Sequence, residues 1–165
     1  MNIRLAKPAA ALVFLWALSA SSGAMGTETP APRYGEPITL RAAQALARLA
    51  RDEAHARGLA MAVAVTGPSG DPILIEVMDG TQYASTAIAP AKARSAARFR
   101  KPTKVLQDAA AAGAVAYSGA DGALALEGGL PVSIDGKIVG GLGISGGTSA
   151  QDGEVATAAL GRFKP

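Results

Sequence analysis

His55 is the sole histidine of this 165-residue chain, and cysteine is absent. Any imidazole base or imidazole ligand working near neutral pH must therefore be His55. The lack of cysteine removes thiolate catalysis, iron–sulfur ligation and cysteine zinc sites together. Serines are plentiful, but a Ser–His–Asp arrangement would have to be built on this one imidazole. As an axial haem ligand, one histidine suffices when the other position is water or a weak donor. The other possible iron donors are the thioethers of Met61 and Met78 and the phenols of Tyr83 and Tyr117. Both methionines lie in apolar strand-like runs, where filling a core is the plainer role. Arg94 and Arg98 share a helix face at i and i+4 within the basic stretch Lys92, Arg94, Arg98, Arg100, Lys101, Lys104. Such a face can grip haem propionates or another anion by charge-assisted hydrogen bonds, or simply be solvated. Carboxylates are dispersed, without the ligand spacing of a haem-free metal site.

The elements that position these side chains follow from periodicity. Thr39 predicts an N-cap, and Leu40, Ala43, Leu46, Ala47, Ala50 and Ala54 trace one helix face until Gly58. His55 projects away from that apolar stripe, beside Arg41, Arg48 and Asp52. Residues 59–66 and 73–78 read as strands joined by the turn Gly67-Pro68-Ser69-Gly70-Asp71. An alanine-rich helical region runs from Ala84 to Phe99, and Pro90 predicts a short helix before it and the main one from it. Thr103 predicts a cap for a further helix closed by Gly113. Residues 123–127, 130–134 and 137–145 read as strands, the last two joined by Asp135-Gly136. Ser149 predicts the cap of a final helix with Asp152 in its first turn. The fold class expected is α+β, a single antiparallel sheet flanked by helices.

Gly141-Leu142-Gly143-Ile144-Ser145-Gly146 has the form G-x-G-x-x-G. It follows a hairpin strand near the C-terminus, with no βαβ unit after it and no acid twenty residues on, so a structural glycine cluster is the expected reading. Amides at the start of the last helix remain a possible cradle for a carboxylate or phosphate.

Arg4 and Lys7, the apolar run Ala9–Ala20 and the small residues Ser22-Gly23-Ala24 have the layout of a secretory signal peptide. Residues 1–24 are expected to be removed after Ala24, and residues 25–37 to form a flexible leader. The apolar run is short for a membrane span, which takes about 20 residues, so no stable span is expected after processing. An exported protein, periplasmic or extracellular, is implied. Loss of Arg4 and Lys7 lowers the formal charge from +3 to +1. No cluster of five or more Lys and Arg exists, so nucleic acid is not an expected partner.

Two groups of residues carry a family resemblance. Ala89-Pro90-Ala91-Lys92-Ala93 with Ala96, Phe99 and Pro102-Thr103 resembles the A-x-x-K-A-x-x-A helix and following turn of GlcG/HbpS-like proteins. Gly128-Gly129-Leu130-Pro131, Asp135-Gly136, Gly140, Gly143, Ser145-Gly146-Gly147 and Gln151-Asp152 resemble the C-terminal signature of the same family. The likeness covers residues 38–162. It implies a profilin-like α/β sandwich, homo-oligomeric assembly and, for some members, binding of haem or a corrinoid-related ligand outside the cytoplasm. Lys92, Gly128, Gly129, Ser145, Gly146, Gly147 and Asp152 carry over as motif positions without an assigned role. Two positions depart from the pattern: Thr66-Gly67 stands where an acid is usual, and Val77 where an arginine precedes Met-Asp-Gly. The expected function is an exported protein binding haem or a related tetrapyrrole, with His55, Met78 or Tyr83 toward iron and Lys92, Arg94 and Arg98 toward the acid groups. The alternatives are an enzyme acting on a small acid or cofactor at the glycine-rich turn, or a non-catalytic partner of an exported complex.

Overall fold

The computed structural model describes residues 30–114 and 122–165. Residues 1–24, expected to be a signal peptide, the first residues of the expected leader and Tyr117 lie outside them. Thr39 caps α1 (Leu40–Ala56), its hydroxyl accepting from the Ala42 amide at 3.2 Å. β1 (Ala62–Thr66) and β2 (Pro72–Val77) form the first hairpin. α2 (Ser85–Phe99) and α3 (Thr103–Ala111) follow. β3 (Gly129–Ile134) and β4 (Lys137–Ser145) make the second hairpin, and α4 (Ser149–Arg162) completes the chain. The turn between β3 and β4 has positive φ at Asp135 and Gly136, 49° and 72°, the primed geometry that matches strand twist.

The four strands run in the order β2-β1-β4-β3, every neighbouring pair antiparallel. This is the α+β class expected from the sequence. Alternation along β1 sorts the two layers. Val63 and Val65 join the main core beneath α1 and α4, with Leu46, Ala50, Leu142, Ile144 and Val155. Ala62 and Ala64 pack on Ala89 and Ala93 of α2 across the other face. That second layer is thin because both sides are small. A Cβ at Gly141 or Gly143 of β4 would collide with the carbonyl of Ala93 or Ala89 respectively. The glycines of the G-x-G-x-x-G string thus let a helix backbone approach a strand, and the structural reading holds.

Several boundaries differ from expectation. α2 is one helix with Pro90 inside it. The carbonyl that Pro90 leaves unbonded belongs to Thr86, which is exposed, so water can satisfy it. Thr103 does not cap α3; its hydroxyl turns inward to accept from the Gly129 amide at 2.9 Å. Thr148, not Ser149, caps α4 and forms a reciprocal box with Gln151. Residues 123–127 form no strand: the Leu124 amide donates to the Ser95 hydroxyl and the Glu127 amide to the Gln107 side chain.

The end of the leader is also held. The Gly35 and Ile38 amides donate to the carbonyls of Ile138 and Val139, and the Ile138 amide donates to Arg33, all within 2.9 Å. The Tyr34 hydroxyl donates to the Arg98 carbonyl at 2.7 Å, and the Arg100 guanidinium lies 5.3 Å from the Tyr34 ring centre. β1 pairs with β4 only from Gly141 onward. The leader fills the slot alongside β4 that β1 leaves open.

Candidate functional site

The motif positions converge on a buried ion pair. Lys92 lies on the sheet-facing side of α2 with its side chain wholly buried, and its ammonium donates to Asp152 Oδ2 at 2.6 Å. A second bond, 3.0 Å, goes to the Ile144 carbonyl of β4. Asp152, in the first turn of α4, accepts from the Gly147 amide through its other oxygen at 2.9 Å. Gly128 has φ 120°, and a Cβ there would come within 2.8 Å of the Lys92 ammonium. The Gly128 carbonyl accepts from the Ile144 amide, and Ser145 donates to Ser85 across the same layer. Burial pushes the Lys92 ammonium below its ordinary range, and the Asp152 carboxylate beside it pulls it back. The cradle at the start of α4 therefore holds an anion belonging to the chain itself. The arrangement ties α2, β4 and α4 together.

The candidate iron donors lie elsewhere. His55 is exposed in the last turn of α1 and lines a depression of about 440 Å³ with Asp52 and Ala56. Met78 is half-buried against the main core and lines a second depression with Arg51, Val63, Glu76 and Val77. An ion pair that the sequence did not suggest relates the two. Arg51 of α1 reaches Glu76 of β2 at 3.3 Å. One helix turn beyond Arg51 is His55, a rise of about 6 Å. Two residues beyond Glu76, on the same strand face, is Met78, a rise of about 6.6 Å. The two rows advance together and bring His55 and Met78 to the same end of the protein. Tyr83, 95% exposed, stands in the turn before α2 at that end. Met61 is fully buried core.

Arg94 and Arg98 are not part of this group. They are exposed on the later turns of α2, beside the Gly70 turn, where Arg94 Nε donates to the Gly70 carbonyl at 3.3 Å. Arg94 is nine residues beyond Ser85, about 13 Å along the helix axis. Within one chain, the row of possible iron donors and the expected anion rim are thus separated, and Lys92 is committed to Asp152. Among the described residues, no group of three or more His, Asp or Glu could hold a metal ion, and no helix is long and apolar enough to cross a membrane.

The family model described as "Haem degrading protein HbpS-like" matches residues 38–161. The chain belongs to the HbpS-like family. The GlcG protein of Escherichia coli K12 is 34% identical over 108 residues, 66% of this chain and 81% of GlcG. Among solved structures, a double mutant of Streptomyces reticuli HbpS superposes with a TM-score of 0.73 at 29% identity, covering 96% of this chain and all of that one. A PduOC:haem complex superposes with a TM-score of 0.70 at 29% identity, covering 76% of this chain and 94% of that one. In this HbpS-like protein the motif residues form the buried tie between helices and sheet, so family likeness and scaffold coincide.

Proposed function

We propose that this HbpS-like protein binds haem or a closely related tetrapyrrole, and that it does so outside the cytoplasm. The observation that carries the reading is the similarity to a domain solved in complex with haem. The donor set at the α1–β2 end fits that group: His55 offers an exposed imidazole and Met78 a thioether in the neighbouring row, both established kinds of haem ligand. In the proposal His55 would hold the iron, and Met78, on the neighbouring row, would be the second candidate donor. Bound haem would supply an iron centre able to exchange electrons or take a small axial molecule. The signal-peptide layout of residues 1–24 supports export.

The test is a haemin titration of the purified protein followed in the Soret region, beside His55→Ala and Met78→Leu. Saturable one-to-one binding is expected, weakened at least tenfold by His55→Ala. Retained binding with an altered spectrum is expected for Met78→Leu. Absence of saturable binding in the unmodified protein would sink the proposal. Undiminished binding in His55→Ala would remove His55 from the iron and leave Tyr83 as the donor to replace next. Letting the saturated sample stand with ascorbate reads turnover: a decaying Soret band reports haem degradation, a stable one binding alone.

A further inference from the structure

The first half of α1 carries a second feature that haem binding does not use. Arg41 and Arg48 lie seven residues apart on α1, almost in line along the helix. The chain leaving α4 passes beside them, and the buried ring of Phe163 anchors it to the main core. That anchor places Arg162 and Lys164 on the far side of a depression of about 470 Å³, with Ala45 and Leu49 between the two basic walls. No carboxylate lines it.

Cations elsewhere on the protein are of two kinds, some paired with acids and others, such as Arg33, Lys101 and Lys137, without an ion pair among the described residues. Arg51, Arg57, Lys92 and Lys104 each have a carboxylate within 4.0 Å. Arg162 also has one, Glu53 at 2.8 Å, and it donates to the Leu49 carbonyl, which fixes its guanidinium at the rim. Arg41, Arg48 and Lys164 have no acidic partner among the described residues. Arg41 stands in the first turn of α1, which contains no acid. A cation there opposes the positive end of the helix dipole. Helix stability therefore does not account for Arg41, whereas a bound anion would be favoured by Arg41 and the dipole together.

We propose that this groove binds a small organic polyanion, its carboxylate or phosphate groups spanning Arg41, Arg48 and Lys164 and its carbon skeleton resting on Ala45 and Leu49. Concavity favours a small molecule over a flat charged surface, and separated cations favour a ligand with more than one anionic group. The proposal is independent of the haem reading, because His55 and Met78 lie toward the other end of α1.

The test is a two-dimensional amide NMR titration of the purified protein with citrate and, separately, with pyrophosphate, at constant ionic strength. Saturable shifts confined to the first half of α1 and residues 161–165 are expected for at least one probe. The probe that binds identifies polycarboxylate or phosphate as the ligand chemistry. Arg41→Gln/Arg48→Gln should raise the dissociation constant at least tenfold while leaving the remaining amide spectrum and haemin affinity unchanged, which shows that the variant is folded. His55→Ala should leave anion affinity unchanged. Shifts that never saturate, that spread over all basic residues, or that persist at equal affinity in the double variant would overturn the proposal.

Discussion

Lys92 and Asp152 show how much one pair of side chains can organise. Their charges are removed from water and satisfied by each other, by the Ile144 carbonyl and by the Gly147 amide. Breaking such a pair from one side leaves a buried charge without its counter-charge, a loss of about 3–5 kcal/mol. Replacing both members by apolar groups removes the desolvation penalty along with the attraction. Lys92→Met alone and Asp152→Leu alone are therefore expected to destabilise by several kcal/mol each, and the double variant by clearly less than their sum. Urea unfolding midpoints measure the cycle, and strict additivity would show that the two residues act separately. Sequence could single out both positions but not join them, since they stand 60 positions apart. A shorter separation, 25 positions, was enough to hide the Arg51–Glu76 pair that relates His55 to Met78.

At the scale of elements, α1 and α4 are tied at their exposed edges by Glu53. Its carboxylate accepts from Arg57 at 2.8 Å and from Arg162 of α4 at 2.8 Å. The hydrogen bond from Arg57 chiefly holds the Glu53 carboxyl below its ordinary value of 4.5, aided by the charges of Arg162 and Arg57 against a smaller opposing effect of burial. A carboxylate whose folded pKa is depressed contributes stability that is present above the unfolded value and is lost as pH falls through the folded one. The melting-temperature advantage of the native protein over Glu53→Gln is thus expected to be full above about pH 5.5 and to shrink steadily below 4.5. An advantage independent of pH would show that the ion pairs are not its source. Element identities were largely legible in the sequence because long apolar stripes and Asp-Gly turns are local signals. Boundaries failed where a side chain found a distant partner. Thr103 looked like a cap yet serves Gly129, and residues 123–127 looked like a strand yet are held by Ser95 and Gln107. Thr148 and Gln151 do carry a capping box readable in the sequence, one position before the serine that suggests the cap.

At the scale of the whole molecule, the unexpected feature is the strap formed by residues 33–38. Proline, glycine and charge in this stretch suggested a free leader, since nothing local reveals that β1 stops short and leaves part of β4 without a neighbour. An unpaired strand segment beside an apolar core exposes backbone groups and invites wrong pairing. The strap closes that gap with backbone bonds to Ile138 and Val139 and is fastened by Tyr34 and Arg100. If export proceeds with cleavage after Ala24, the mature chain begins at Met25 and keeps the whole strap. N-terminal sequencing of exported protein should therefore return Met25, and hydrogen exchange should find the Ile138 amide protected by its bond to Arg33. A chain begun instead at Ile38 should lose protection at Ile138 while Leu142 and Ile144, deeper in the sheet, exchange as slowly as before. Protection that survives the deletion would mean that another segment covers this edge. A mature start beyond Tyr34 would mean that the exported protein works without its strap.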